Sequence, residues 1–481
     1  MTAAYQATCD QPHCRRASAG CPDPGWTLAT SILASSLAFL DSSVMNVALP
    51  ALKQGIGGTT TDLQWTINSY ALPLSALILF GGAAGDKFGR RRFLVIGIAI
   101  FLLASIGCAL APGFSVLVPM RALQGIGAAL LMPNSLALLG NAYPAEKRGQ
   151  AIGTWAAFGV IASAAGPPLG GWLIELAGWR AIFLINVPLA VAAIVIARSR
   201  VPEFADPRGS LDWAGAMLAT LALGLFAWPL TLWSSRQALP PEALPMFAGS
   251  AVAAGLFLFV QLRRGAEAMM PLGMFASRAF VGLSLVTFLI YTALGGLFLL
   301  LPYVLINGGY TPLQAGLALL PFPAIVGVAS RLMGRLASTY GPRWPLAGGA
   351  FVGALGYALF TRMEPGGSYW LTVVPGAAVL AAGMAGAVAP LTTAVLATVD
   401  KHHTGTASGF NSMVSRSGGL IATALSGAVL VHSGAALVDS FHAAVWVGAA
   451  MSLAAGLTAY ATLGPPRKPA PQTVSIAPAT A

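Results

Sequence analysis

The stretch LAFLDSSVMNVALP, Leu37–Pro50, sets one carboxylate inside an apolar run long enough to cross a bilayer. An ionised carboxylate at that depth opposes insertion by roughly 2.5–3.5 kcal/mol, so it faces a protein interior or a wet cavity rather than lipid. Asp41 is therefore the first candidate for function. The rest of the chain decides whether the run around it is a membrane span.

Composition says that it is. The 481 residues are 56% hydrophobic and only 9% charged, against roughly 25% charged in a soluble domain. Mean hydropathy is +0.75. The run Trp26–Leu49 is longer than the roughly 7–15 residue apolar core of a signal peptide, and is expected to stay in the membrane. Comparable segments recur along the chain, each long enough for a helix to cross a core of about 30 Å. They are Trp26–Leu49, Gln64–Ala84, Phe93–Ala111, Val116–Leu139, Ala151–Leu176, Ala181–Ala197 and Trp213–Trp233. After these come Phe247–Leu262, Phe280–Leu301, Leu313–Met333, Trp344–Phe360, Trp370–Leu396, Ala407–Val431 and Ala443–Leu463. The fold class is an all-α integral membrane protein with 14 transmembrane helices.

The formal charge of +11 does not indicate a nucleic-acid partner, because Lys and Arg sit in short clusters between apolar runs. Arg15, Arg16, Lys87, Arg90, Arg91, Arg92, Lys147, Arg148, Arg198, Arg200 and Arg208 fall on one side. So do Arg263, Arg264, Arg278, Arg331, Arg335, Arg343, Lys401, Arg467 and Lys468. The other side has Lys53, Arg180, Arg236 and Arg362. The positive-inside rule then predicts a multi-pass protein of the cell inner (cytoplasmic) membrane with both termini cytoplasmic.

The chain also repeats itself. GGAAGDKFGRRR answers MGRLASTYGPR, pairing Gly82 with Gly334 and Gly89 with Gly341. MPNSLALLGNAYPAEKRGQAIG answers APLTTAVLATVDKHHTGTASG, pairing Pro133 with Pro390 and Gly153 with Gly409. Both offsets are about 250 residues, or eight spans. The expected organisation is a cytoplasmic tail at 1–25, a six-helix bundle at 26–200, a linker with two inserted helices at 201–279, a second six-helix bundle at 280–464 and a cytoplasmic tail at 465–481. The inserted pair is expected to pack outside the bundles.

Four motifs carry a family resemblance. LDSSVMNVALP resembles the first-helix motif of the fourteen-helix drug:proton antiporter branch of the major facilitator superfamily, with Ser43 at a usual Thr. GAAGDKFGRRRFL, Gly82–Leu94, is similar to the superfamily loop motif, with Ala84 at a common Leu. LVPMRALQGIGAA, Leu117–Ala129, resembles the fourth-helix motif around its arginine. GTWAAFGVIASAAGPPLGG, Gly153–Gly171, resembles the antiporter motif of the fifth helix, with Ala162 at a usual Gly. The resemblance implies a major facilitator fold and proton-coupled export of amphipathic small molecules, such as drugs or antibiotics, by alternating access. The rival expectation on the same fold is a transporter of one specific metabolite. Cargo, protons and the lipid bilayer are the implied partners.

The residues have physical readings of their own. Asp41 lies about 12 Å from the outer end of its helix and Arg121 about 7.5 Å from the outer end of an antiparallel one. The two can meet, and a carboxylate whose pocket alternates between wet and dry can take up and release a proton. Asp41 is thus the expected proton-coupling group, with Arg121 and Gln124 modulating it; a permanent structural pair is the alternative. Asp86 sits at a helix C-terminus, where an anion needs a cation such as Arg90. With Gly82 and Gly89 they make the charge latch that the resemblance implies, while Lys87 and Arg91 serve as positive-inside anchors. Gly153, Gly166, Gly170 and Gly171 permit close helix contact, and Pro167 favours a hinge.

Arg416 lies about 13.5 Å into its helix, near the midplane. A structural role, bonding helix carbonyls or sharing polar packing, and a cargo contact are both open for it. With Asp41 and Arg121 it leaves the intramembrane charge leaning positive, so the cargo need not be a dication, and neutral, zwitterionic and anionic cargo all stay open. Tyr70, Asn134, Asn186, Tyr291 and Asn411 are further candidates for a cavity wall or for bridges between helices, and Trp26 and Trp65 for interface anchors. No G-x-x-x-x-G-K-[ST] loop and no nucleophile–base pair appears, and His13, His402, His403, His432 and His442 all lie outside the deep parts of spans. An enzyme is not expected, and no cofactor is implied. Cys9, Cys14 and Cys21 with His13 match no usual zinc spacing and read as part of the tail.

Overall fold

The computed structural model describes residues 24–205, 211–265, 268, 270, 272–364, 367–398 and 404–464. The expectations for both tails, for Cys9, His13, Cys14 and Cys21, and for Lys401, His402 and His403 lie outside these residues. Among the described residues, fourteen helices are long and apolar enough to span a membrane. They are α1 (Pro24–Ile56), α2 (Thr60–Phe88), α3 (Arg90–Ala109), α4 (Phe114–Ala142), α5 (Lys147–Ala177), α6 (Ala181–Arg200) and α7 (Trp213–Arg236). The second half adds α8 (Ala243–Arg264), α9 (Arg278–Asn307), α10 (Pro312–Ala337), α11 (Arg343–Arg362), α12 (Tyr369–Val395), α13 (Ala407–Leu430) and α14 (Gly434–Thr462). Each coincides with an apolar run, because in lipid only a helix satisfies its own backbone.

Helix ends run past the apolar limits where the local sequence caps them. Thr59 and Asp62 form a capping box, with Asp62 Oδ2 accepting from Thr59 N at 2.7 Å, so α2 starts before Gln64. Gly57, Gly58 and Gly89 have φ of +71°, +97° and +115°, and these left-handed turns reverse the chain in very few residues. Breaks occur inside spans too. α6 divides at Ile185 into Ala181–Leu184 and Asn186–Arg200, where Pro188 offers no N–H to the preceding turn.

Contacts sort the spans into two groups. α4 is the hub of the first, packing on α1, α2 and α3, with α5 and α6 against α1. In the second, α9 packs on α13 and α14, and α12 on α10 and α11. The groups meet along α2–α13, α5–α10 and α1–α9. Two membrane faces follow from the connections: a basic face with the α2–α3 loop, and a far face with the α1–α2 loop. Towards the far face, Gly171 packs on the backbone of Pro312, Gly316 on that of Pro167, and Leu313 N donates to Glu175 Oε1 at 3.0 Å. Towards the basic face, Gly153 in α5 and Gly334 in α10 meet open space. α5 packs on the Pro312–Leu317 stretch of α10, at the far face, rather than on the following Pro321–Tyr340 stretch, so the two helices diverge towards the basic face.

The inserted pair lies against the seam of the two groups. α8 packs on α7, and Asp212 ties the two by accepting from Gln261 Nε2 at 2.5 Å and pairing with Arg264 Nε at 3.3 Å. α7 touches both groups and carries polar residues towards α2 and α13. Asn68 Nδ2 donates to Thr231 Oγ1 at 3.4 Å, and Gln64 Nε2 donates to the carbonyls of Thr423 and Ala424 at 2.8 and 2.9 Å. Ser234 hydrogen-bonds Ala424 O as well. Trp65 meets Trp228 with ring centroids 4.8 Å apart and the planes tilted by 45°.

Candidate functional site

α1 and α4 bring their two charged residues together. Arg121 Nη1 donates to Asp41 Oδ2 at 2.5 Å, and the side chains are 1% and 2% exposed. At that burial a carboxylate needs several donors. Asp41 Oδ1 accepts from Gln124 Nε2 and from Asn186 Nδ2, both at 3.2 Å. Three helices therefore hold one carboxylate.

The guanidinium is equally well supplied. Arg121 Nε donates to Thr66 O at 3.0 Å and Nη1 to Gln124 Oε1 at 2.7 Å. Its carbon lies 4.5 Å from the Tyr70 ring and 5.9 Å from the Phe183 ring, in cation–π range. Ser105 Oγ accepts from Gln124 Nε2 at 2.7 Å, and Cys108 Sγ donates to Gln124 Oε1 at 3.4 Å, fixing the glutamine from α3. The result is a polar knot within apolar packing.

From the sequence, Asn186 is only one of several wall candidates, and its place beside the carboxylate follows from the α6 break before Pro188. Ser105, which lies in an apolar run with no signal, does not touch Asp41 but accepts from Asn186 Nδ2 at 3.4 Å and from Gln124. Asn186 Oδ1 is buried without a protein partner.

The loop motif pairs its acid with a cation one turn on. Arg90 Nε donates to Asp86 Oδ1 at 2.6 Å and Nη1 to Ala137 O at 3.0 Å, so the pair closes on α4 within the first group. Gly89 backs onto Glu203, whose carboxylate accepts from Arg91 N and Arg92 N at 2.9 and 3.0 Å. That caps the start of α3 with an acid that the motif does not contain. Gly82 meets only Pro133 at ordinary distance, and the close α2–α4 approaches are made by Gly81 and Gly85. Asn134 packs on Gly85 and donates to Gly81 O at 2.9 Å and Leu130 O at 2.7 Å, bridging helices.

The antiporter motif divides its glycines between two neighbours. Gly166 faces Ser43 and Leu40 O, and Gly170 faces Val44 and Val47, all on α1. Gly171 and the Pro167 carbonyl face α10. Gly153 makes no such contact. In the second group, Thr287 Oγ1 donates to Asn411 Oδ1 at 2.7 Å. Arg416 crosses the gap between the groups, with Nη2 3.0 Å from Met132 Sδ. Tyr70 and Tyr291 stand within its electrostatic reach.

Comparison with known proteins matches this architecture. The model of the Major Facilitator Superfamily matches residues 31–277 and 283–480. Multidrug resistance protein Stp of Mycobacterium tuberculosis is 34% identical over 84% of this chain and 75% of its own. The methylenomycin A resistance protein of Bacillus subtilis is 32% identical over 87% and 90%. The xylose transporter XylE of E. coli, solved in an inward-open conformation, superposes with a TM-score of 0.64 at 15% identity, covering 92% of this chain and 97% of that one. That likeness concerns the fold. This multi-pass membrane chain belongs to the Major Facilitator Superfamily.

Proposed function

We propose that the protein is a proton-coupled exporter of amphipathic small molecules, including drugs or antibiotics, that works by alternating access of two six-helix bundles at 26–200 and 280–464. The observation that carries the reading is the Asp41 carboxylate, the deepest acid of the spans, held by Arg121, Gln124 and Asn186 at the heart of the first bundle. The relatives, a multidrug resistance protein and a methylenomycin A resistance protein, support the export sense.

In this reading the basic face is cytoplasmic, in the cell inner membrane, with both termini on that side. The far-face contacts of Gly171 and Gly316 seal the outside, and the diverging ends of α5 and α10 admit cargo from within. Proton binding neutralises Asp41 and weakens its hold on Arg121. A site with a weaker internal pair opens more readily, so the proton biases one state and cargo the other. Asp86, Arg90, Gly82 and Gly89 act as the latch of one state. Gly166, Pro167, Gly170 and Gly171 act as the seal beside the path. Tyr291, Asn411 and Arg416, each partly exposed, are the proposed cavity residues; Tyr70, Gln124 and Asn134, expected with them, are buried between helices and serve the packing around Asp41 and α4 instead.

The test is accumulation of a panel of fluorescent drugs in inside-out vesicles with an acidic interior. Uptake of several unrelated compounds that collapses with the pH gradient supports the reading. Uptake of one compound alone points to a single-metabolite transporter, and gradient-independent uptake contradicts proton coupling.

A further inference from the structure

Two arginines lie deep in the spans, and their surroundings differ. Arg121 has a carboxylate, an amide oxygen and a backbone carbonyl as acceptors and lies against two aromatic rings. It is a structurally satisfied guanidinium. Among the described residues, Arg416 has a single protein acceptor, the thioether sulfur of Met132, which is a weak one, and the four ion pairs do not include it. Asp41 is already occupied by Arg121, so among these residues Arg416 is a positive charge in the spans without a counter-ion.

A lone cation in a span is costly and marks a functional site. Arg416 is half-buried, and it reaches from α13 across to α4 at the boundary that alternating access opens and closes. A guanidinium presents five N–H donors in a fork suited to two oxygens at once. At about 13.5 Å from the start of α13 it lies too deep for a lipid phosphate. What is missing is an acceptor group that arrives with the cargo.

We infer that Arg416 is a cargo anchor that recognises an anionic oxygen group, a carboxylate above all, on an otherwise apolar molecule. The inference rests on the export reading above and names the charge class of its substrate. An anion on Arg416 brings the formal charge of the site to zero while Asp41 is ionised. It does not compete with the proton for Asp41, so exchange rests on the two conformations and not on a shared carboxylate.

The test uses three probes with one apolar body: 1-pyrenebutyrate, its methyl ester and 1-pyrenebutylamine. Their binding to the full-length protein in phosphatidylcholine nanodiscs is followed by tryptophan quenching, for wild type, Arg416→Gln and Arg416→Lys. The acid is expected to bind wild type about ten-fold more tightly than the ester, the advantage of a charge-assisted hydrogen bond. Arg416→Gln removes that preference and leaves ester binding within about two-fold, which also shows that the variant is folded; Arg416→Lys keeps part of it. Equal loss for all three probes assigns Arg416 to structure and overturns the inference. So does an acid preference that survives Arg416→Gln, or its absence from wild type, and neither result touches the drug-accumulation test of export.

Discussion

Arg121 Nη1 stands 2.5 Å from Asp41 Oδ2 with both side chains sealed from solvent. Removing one partner of such a pair strands the other charge, at about 3–5 kcal/mol. Arg121→Gln is therefore expected to lower the melting temperature of the purified protein markedly. Adding Asp41→Asn to it should restore most of the loss, because neither charge is then alone. A double variant that melts no higher than Arg121→Gln would mean that the pair contributes little to the fold.

Asn186 reaches the same carboxylate from the break in α6. Asn186→Leu takes away one donor to a charged acceptor, an interaction of about 1.5–3 kcal/mol. Proton-coupled transport should fall about ten-fold at unchanged expression. Initial rates in vesicles, normalised to protein, measure this, and an unaltered rate would make Asn186 a bystander.

The glycines of α5 are not equivalent. Gly166→Val places atoms against Ser43 and the Leu40 carbonyl, where the α1–α5 approach leaves no room. Gly153→Ala meets open space. Transport should be nearly abolished in the first and stay within about two-fold of wild type in the second, since surface changes away from contacts have small effects. Equal effects would remove the packing explanation.

The α2–α7–α13 seam holds the far face shut through Gln64 and Ser234, yet Gln64 Oε1 and Asn68 Oδ1 are buried without partners. Such groups gain hydration when the seam parts, which keeps the closure reversible. Gln64→Leu combined with Ser234→Ala should raise the ratio of far-face-open to closed molecules about five-fold, the effect of about one net hydrogen bond. Spin labels at Gln54 and Ser433, both exposed near that face, report the distance. An unchanged distance distribution would show that other contacts close the far face.

Much of this was legible in the chain. Apolar length gave every span, and depth arithmetic brought Asp41 to Arg121 because antiparallel helices share a common axis. Asp86 found Arg90 because they lie one turn apart. Periodicity could not give the rest. Asn186 faces Asp41 because a helix break turns it inward, and Glu203 caps α3 from a loop more than 110 residues away. The inserted α7 read as apolar overall, and its role at the seam depends on Thr231 and Ser234, two hydroxyls that hydropathy averages away. Gly81 rather than Gly82 makes the close approach, a difference of one residue that sets which face of α2 meets α4.

The central claim is that Asp41 carries the coupled proton. Proton flux in inside-out proteoliposomes under an imposed pH gradient tests it most directly, with cationic, neutral and anionic compounds added to wild type and to Asp41→Asn. Compound-triggered proton release from wild type and none from Asp41→Asn is the predicted result. Equal release from both would contradict the account and leave Asp41 a structural partner of Arg121.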